Sequence, residues 1–142
     1  MTERKSMSSF VIDTHAWVEY LIGSRAGEEA KEFIERGGAY TPSVVVTELA
    51  KWYLREIEAE RISADEMKEH LEFVSSVTVI VPLDESLARK AGEMDFMMKK
   101  RAKGWPLADS IVYATAREYR AKVVSGDPHF KGLDDVEFIG AR

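Results

Sequence analysis

The sequence predicts an α/β protein in which helices are layered on a mostly parallel sheet of four to five short strands. Three observations predict it. Short apolar runs alternate with longer segments of helical periodicity, as in a chain built from βαβ units. At 142 residues the chain suits one domain that buries about 68–70% of the surface its unfolded form would expose. No internal repeat, linker or low-complexity stretch breaks the alternation, so residues 1–142 read as a single domain. Residues 1–8 are expected to form a flexible N-terminal extension, with Met7 as an alternative start.

The first strand is expected at 10–12. A helix follows over 16–22, with Trp17, Tyr20 and Leu21 on one side. Residues 28–36 form a charged amphipathic helix with Ala30, Phe33 and Ile34 as its stripe, stopped by Gly37-Gly38. A brief strand at 39–41 precedes Pro42 and Ser43, which open a helix whose apolar face is Val44, Val45, Leu49, Trp52 and Tyr53, ahead of the charge run at 56–61. Ser63-Ala64-Asp65-Glu66 has the form of a capping box and starts a helix through Val74. Residues 77–81 are the next strand and 84–101 the next helix, with Leu87, Ala91, Met94 and Met98 at helical spacing. Gly104 and Pro106 separate it from a helix at 107–119. Strands at 122–124 and 136–139 complete the pattern.

The bulk chemistry excludes several classes. There is no cysteine, which removes disulfide frameworks and thiolate metal sites and fits a cytoplasmic location. No apolar stretch reaches the roughly 18 residues of a membrane span, and the polar start lacks a signal-type apolar core. A net charge of −5 argues against holding nucleic acid by bulk electrostatics, although bound divalent cations would reverse the sign locally.

Against that background four acids stand out by position. Asp13 and Asp127 follow apolar strand-like runs, where ligands bind in open α/β sheets. Taken singly, each also reads as a helix N-cap, and Asp127-Pro128 has the form of a cap with proline at the first helical position. Asp109 lies one turn into its helix, where a negative charge complements the dipole. Its helical neighbours Val112, Tyr113 and Ala116 are not polar, however, and Glu48 is similarly flanked by Val44, Val45 and Trp52, with Lys51 as a fourth neighbour read as a partner for some other acid. Four acids so placed are hard to explain as four independent caps. Oxygen ligands without cysteine favour Mg²⁺ or Mn²⁺ over zinc, and a cation would relieve the mutual repulsion of gathered carboxylates. The chemistry this best suits is phosphodiester hydrolysis.

The segments carrying these acids are Val11-Ile12-Asp13-Thr14, Pro42-Ser43-Val44-Val45-Val46-Thr47-Glu48-Leu49, Leu107-Ala108-Asp109-Ser110-Ile111-Val112-Tyr113-Ala114-Thr115-Ala116 and Val124-Ser125-Gly126-Asp127-Pro128-His129-Phe130. In order and spacing they resemble the four motif blocks of PIN-domain nucleases, most closely the VapC-type ribonuclease toxins of toxin–antitoxin pairs, over about residues 10–139. The resemblance implies a PIN-like α/β/α sandwich and a Mg²⁺- or Mn²⁺-dependent endoribonuclease acting on RNA. It carries the catalytic and metal-ligand roles onto Asp13, Glu48, Asp109 and Asp127, with Asp13 and Asp109 foremost. Ser125 and Thr14 are implied as supporting hydroxyls. A homodimer and a cognate antitoxin lying across the cleft are implied as well. A PIN nuclease of RNA processing or quality control that is not a toxin, and a non-catalytic binding module, are the alternatives.

His15 and His129 flank two of the acids as candidate general bases, with surface or capping histidines as the commoner case. The basic run Lys99-Lys100-Arg101-Ala102-Lys103 reads as a solvated helix end or as phosphate contacts. Trp17, Trp52 and Trp105 read as core or interface rather than as base-stacking residues, and Met94, Met97 and Met98 as packing or a dimer face. Two rival classes lack their residues. A haloacid-dehalogenase-like phosphatase needs a second Asp two residues after the first, where this chain has His15, and a receiver domain needs paired acids beside the first strand.

Overall fold

The computed structural model describes residues 9–140, so the expected extension over 1–8 and the alternative start at Met7 lie outside the described residues. In chain order the elements are β1 (Ser9–Ile12), α1 (Thr14–Ile22), α2 (Arg25–Glu35), β2 (Tyr40–Pro42), α3 (Ser43–Glu58), α4 (Ala64–Val77), β3 (Val79–Val81), α5 (Glu85–Arg101), α6 (Leu107–Glu118), β4 (Ala121–Ser125), a 3₁₀ turn at Pro128–Phe130, and β5 (Val136–Phe138). The expected α/β sandwich is present. Its five strands are all parallel, in the order β3-β2-β1-β4-β5.

Successive strand side chains point to opposite faces, and Phe10, Val11 and Ile12 are buried in succession, as are Val123 and Val124. Both faces of the central strands are therefore covered by helices, as parallel sheets require. On one side Phe10 meets Phe33 of α2 at 4.6 Å between ring centres. Helix α6 lies against β1, β2 and β4, with α5 packed along it.

Several boundaries depart from the sequence reading for local reasons. Helix α2 begins at Arg25 rather than 28, because Ser24 caps it by accepting the Gly27 N–H at 3.1 Å. Gly27 itself allows α1 and α2 to touch backbone to backbone, since a Cβ there would lie 2.1 Å from the Glu19 carbonyl oxygen. Helix α1 starts at Thr14, directly after Asp13, and α3 runs to Glu58, into the charge run, where Arg61 folds back onto Glu56 at 2.9 Å. Helix α4 runs to Val77 and β3 starts at Val79, because Thr78 closes the helix with both its N–H and its hydroxyl on the Val74 carbonyl.

That hydroxyl belongs to a buried polar chain. The Trp17 indole N–H donates to Thr41 Oγ1 at 3.1 Å, and Thr41 and Thr78 share a bond of 2.7 Å. Because the Thr78 proton is committed to Val74, Thr41 must be the donor to Thr78, and every group in the chain is satisfied. Trp17 and Trp105 are wholly buried, in keeping with the core reading, whereas Trp52 is half-buried. Met98 is core, while Phe96 and Met97 beside it are exposed. Among the described residues no helix is long and apolar enough to cross a membrane.

Candidate metal centre

The strand order places the topological switch point between β1 and β4, and their carboxyl ends are where a parallel sheet of this kind opens to ligands. Asp13 leaves β1 there, its N–H extending the ladder by donating to the Val124 carbonyl at 3.1 Å. Asp127 follows β4, Glu48 comes from α3 and Asp109 from the first turn of α6. The four acids line one cleft of about 330 Å³ with Thr14, His15, Lys51, Trp52 and Arg55. A second depression, of about 300 Å³, lies where β4 begins, between Arg117, Arg120 and Lys122, and has a single acid, Asp135, in its lining.

Asp13 occupies the N-cap position of α1 in extended backbone, yet its carboxylate does not cap the helix. It is buried and accepts the Ser125 hydroxyl at 2.7 Å. Burial is the main cause that pushes its pKa up to about 6, with Glu48 and Asp127 adding repulsion and the bonds from Ser125 and the Thr14 N–H opposing the rise. Ser125 Oγ also accepts the Asp127 N–H at 3.0 Å, so one buried hydroxyl ties the two strand-end acids together. Glu48 is held by the Thr14 hydroxyl at 2.5 Å.

Asp109 is 8% exposed, and its Oδ2 is a buried carboxylate oxygen without a hydrogen bond. Desolvation first, then the charges of Asp13, Asp127 and Glu48, raise its pKa to about 8. His129 Nδ1 stands 3.0 Å from Asp109 Oδ2 and 3.0 Å from Asp127 Oδ1. One ring N–H cannot align with both, and the contact to Asp109 is proximity rather than a directed bond. Asp127 does cap, accepting the His129 backbone N–H at 2.9 Å. The cap reading thus fails for Asp13 and holds for Asp127, which caps and faces the cluster with the same carboxylate.

Asp109, Asp127 and His129 form a set whose candidate ligand atoms all lie within 4.8 Å of one another. Asp13 and Glu48 line the same cleft without joining that set. The donor chemistry fits a hard divalent cation: oxygen atoms predominate, no thiolate competes, and the orphaned buried oxygen belongs to Asp109, whose pKa is raised by burial first and then by the neighbouring carboxylates.

The two histidines separate in role. His15 Nδ1 accepts the Gly126 N–H at 3.1 Å, which fixes that nitrogen as the unprotonated one. Gly126 must be glycine because a Cβ would lie 2.7 Å from the Ile139 carbonyl oxygen and 2.5 Å from the His15 ring. Behind Asp109, the Trp105 indole donates to Ser110 at 2.6 Å, Ser110 donates to Asp95 at 3.0 Å, and Lys99 pairs with Asp95 at 2.6 Å. Trp105 also packs edge-on to Phe130 and His129, fixing the loop before α6 against the 3₁₀ turn. The basic run at 99–103 contributes no residue to the cleft lining. The sequence reading takes Trp52 as core or interface and Lys51 as a partner for some other acid, and leaves Arg55 out; all three line the cleft, lying four, three and seven residues after Glu48.

The family model described as "PIN domain" matches residues 10–136. No curated protein matches by sequence. Among solved structures, the chain is similar to Mycobacterium tuberculosis VapC20, a sarcin-ricin-loop-cleaving toxin, at 17% identity and a TM-score of 0.69, covering 92% of this chain and 98% of that one. It is similar to VapBC2 from Rickettsia felis, bound to a DNA fragment from its promoter, at 13% identity and a TM-score of 0.67, covering 92% and 98%. VapBC-5 of M. tuberculosis, from the VapBC family of toxin–antitoxin systems, gives 20% identity and a TM-score of 0.64 over 94% and 98%.

Proposed function

The chain belongs to the PIN-domain family, and from that premise we propose that it is a Mg²⁺- or Mn²⁺-dependent endoribonuclease and the toxin of a toxin–antitoxin pair. The observation that carries the proposal is the buried Asp109 Oδ2, without a hydrogen bond and facing three other acids in an open cleft. Asp13, Glu48, Asp109 and Asp127 would hold the cation, with His129 at the edge of the set. When bound, that ion supplies Lewis-acid polarisation of the phosphate and a water of lowered pKa.

The chain's own residues provide the rest. Ser125 fixes the rotamer of Asp13 and the position of the Asp127 backbone through one hydroxyl. Thr14 holds Glu48 turned into the cleft. Trp105, Ser110 and Asp95 brace the start of α6, so Asp109 is presented from a rigid element. Asp13 and Asp109, with raised pKa values, release protons as ligands, so cation affinity climbs with pH through the neutral range.

The toxin reading is supported by the fold shared with VapC20 and with the VapBC structures. A cognate antitoxin covering the cleft belongs to that reading. So does a homodimer, for which the exposed Phe96 and Met97 of α5 offer an apolar surface.

The test is cleavage of structured RNA by the full chain in Mg²⁺, in Mn²⁺ and in EDTA, beside Asp13→Asn and Asp109→Asn. Cleavage that needs the metal and falls at least 100-fold in each variant is expected, leaving 5′-phosphate and 3′-hydroxyl ends. Metal-independent cleavage, or full activity in both variants, overturns the mechanism.

A further inference from the structure

Glu48, Lys51, Trp52 and Arg55 occupy one face of α3, and all four line the acidic cleft. Lys51 and Arg55 are exposed, and among the described residues neither makes an ion pair, although acids outnumber bases in this chain by 25 to 20. Two uncommitted cations thus stand on the wall of a cleft that would otherwise repel any polyanion. Beside them on the same wall lies Trp52, the one tryptophan not wholly buried. Its ring is backed edge-on by Tyr53 at 5.0 Å, and Tyr53 is buried and bonded through its hydroxyl to His70 of α4. The indole is therefore a supported surface rather than a loose side chain.

An aromatic ring beside two cations, about two helical turns of wall beginning at a cleft acid, matches a nucleotide rather than a metal or a small acid. We infer that Trp52 stacks an unpaired nucleobase flanking the scissile phosphate, while Lys51 and Arg55 hold the phosphates beside it. The inference rests on the ribonuclease reading and narrows its substrate to a strand whose target base is free. Bases within a duplex stay stacked on each other and offer no open face, so a loop, bulge or single strand is required.

The test combines steady-state cleavage by the active chain with binding by the cleavage-silent Asp13→Asn chain. Titrating a single-stranded oligoribonucleotide into the latter is expected to quench tryptophan fluorescence, and Trp52→Phe is expected to abolish the quenching because Trp17 and Trp105 are buried. In the active chain Trp52→Ala is expected to raise KM about 5- to 150-fold, the range of one lost stacked base. Trp52→Phe, which keeps a ring against Tyr53, should lose less, with its melting temperature confirming an intact fold. Lys51→Ala combined with Arg55→Ala should weaken binding and flatten its salt dependence. The same oligonucleotide annealed to its complement should bind weakly and quench little.

Unchanged KM and affinity in Trp52→Ala, with cleavage still lost in Asp13→Asn, overturn the stacking inference alone and assign Trp52 to a protein contact or to packing. Absence of RNA cleavage by the unaltered chain overturns the ribonuclease reading beneath it.

Discussion

Asp109→Asn should make the metal-free protein more stable, although it removes a residue of the proposed metal site. An unfolded aspartate loses its proton near 3.9, whereas Asp109 in the fold keeps its proton up to about 8. Between those values the folded state binds more protons than the unfolded state, so stability falls as pH rises. At pH 7, about three units above the unfolded value, the loss has a ceiling of about 4 kcal/mol at roughly 1.4 kcal/mol per unit. Asp13 contributes part of that rise and is itself raised to about 6. The two groups are coupled, and their losses do not add. Asparagine removes the charge but still buries an amide, so about half the ceiling, ~2 kcal/mol, is expected, or a melting temperature higher by about 4–8 °C. The assay is thermal unfolding in EDTA at pH 7.5 and pH 4.5. The variant should lead clearly at pH 7.5 and by little at pH 4.5, where unfolded carboxylates are also partly protonated. A variant no more stable than the parent at pH 7.5, or a gap that does not shrink in acid, refutes the assigned burial and crowding. Mg²⁺ should stabilise the parent and do less for the variant.

Ser125→Ala removes the donor to Asp13 and the acceptor for the Asp127 N–H, so about 1–3 kcal/mol of stability should be lost. Asp13 should then hold its proton to still higher pH, and half-maximal Mg²⁺ activation measured across pH should move upward. Gly126→Ala sets a methyl group against the Ile139 carbonyl and the His15 ring, and about 1–3 kcal/mol of destabilisation is expected in chemical denaturation. A neutral result there would mean the turn after β4 yields freely.

Sequence pattern carried most of the architecture because each element obeys local rules. The apolar runs mark the buried strands, and the glycine and proline punctuation marks the turns between the helices. The boundaries that moved did so through single polar contacts: Ser24 starting α2 early, and Thr78 holding α4 together to Val77. Such contacts depend on which neighbour a hydroxyl reaches, which spacing does not record. At the site, the sequence identified all four acids that share the cleft but not their inequality. Asp13 is buried on a serine and Asp127 caps a turn, whereas Asp109 has an oxygen with no bond. The position of His129 between two acids was equally out of reach, because it depends on Trp105 packing the 3₁₀ turn toward α6. The sequence reads Trp52 as core or interface and Lys51 as a partner for some other acid, and leaves Arg55 out, for a different reason. Their spacing was visible, but on an isolated helix a packing face and a cleft face look alike.

The Ser125–Asp13 bond joins residues 112 positions apart. On a ribosome adding about 5–20 residues per second, that interval lasts roughly 6–22 s. The growing chain holds Asp13 from the start of that interval and Glu48 after about its first third, gains Asp109 only near its end and lacks Asp127 throughout, and β1 lacks β4, its partner at the centre of the sheet, until the interval closes. Translation therefore completes the four-acid cleft only after β4 has been made. A ribosome-bound fragment carries an incomplete cleft until Asp127 has been added.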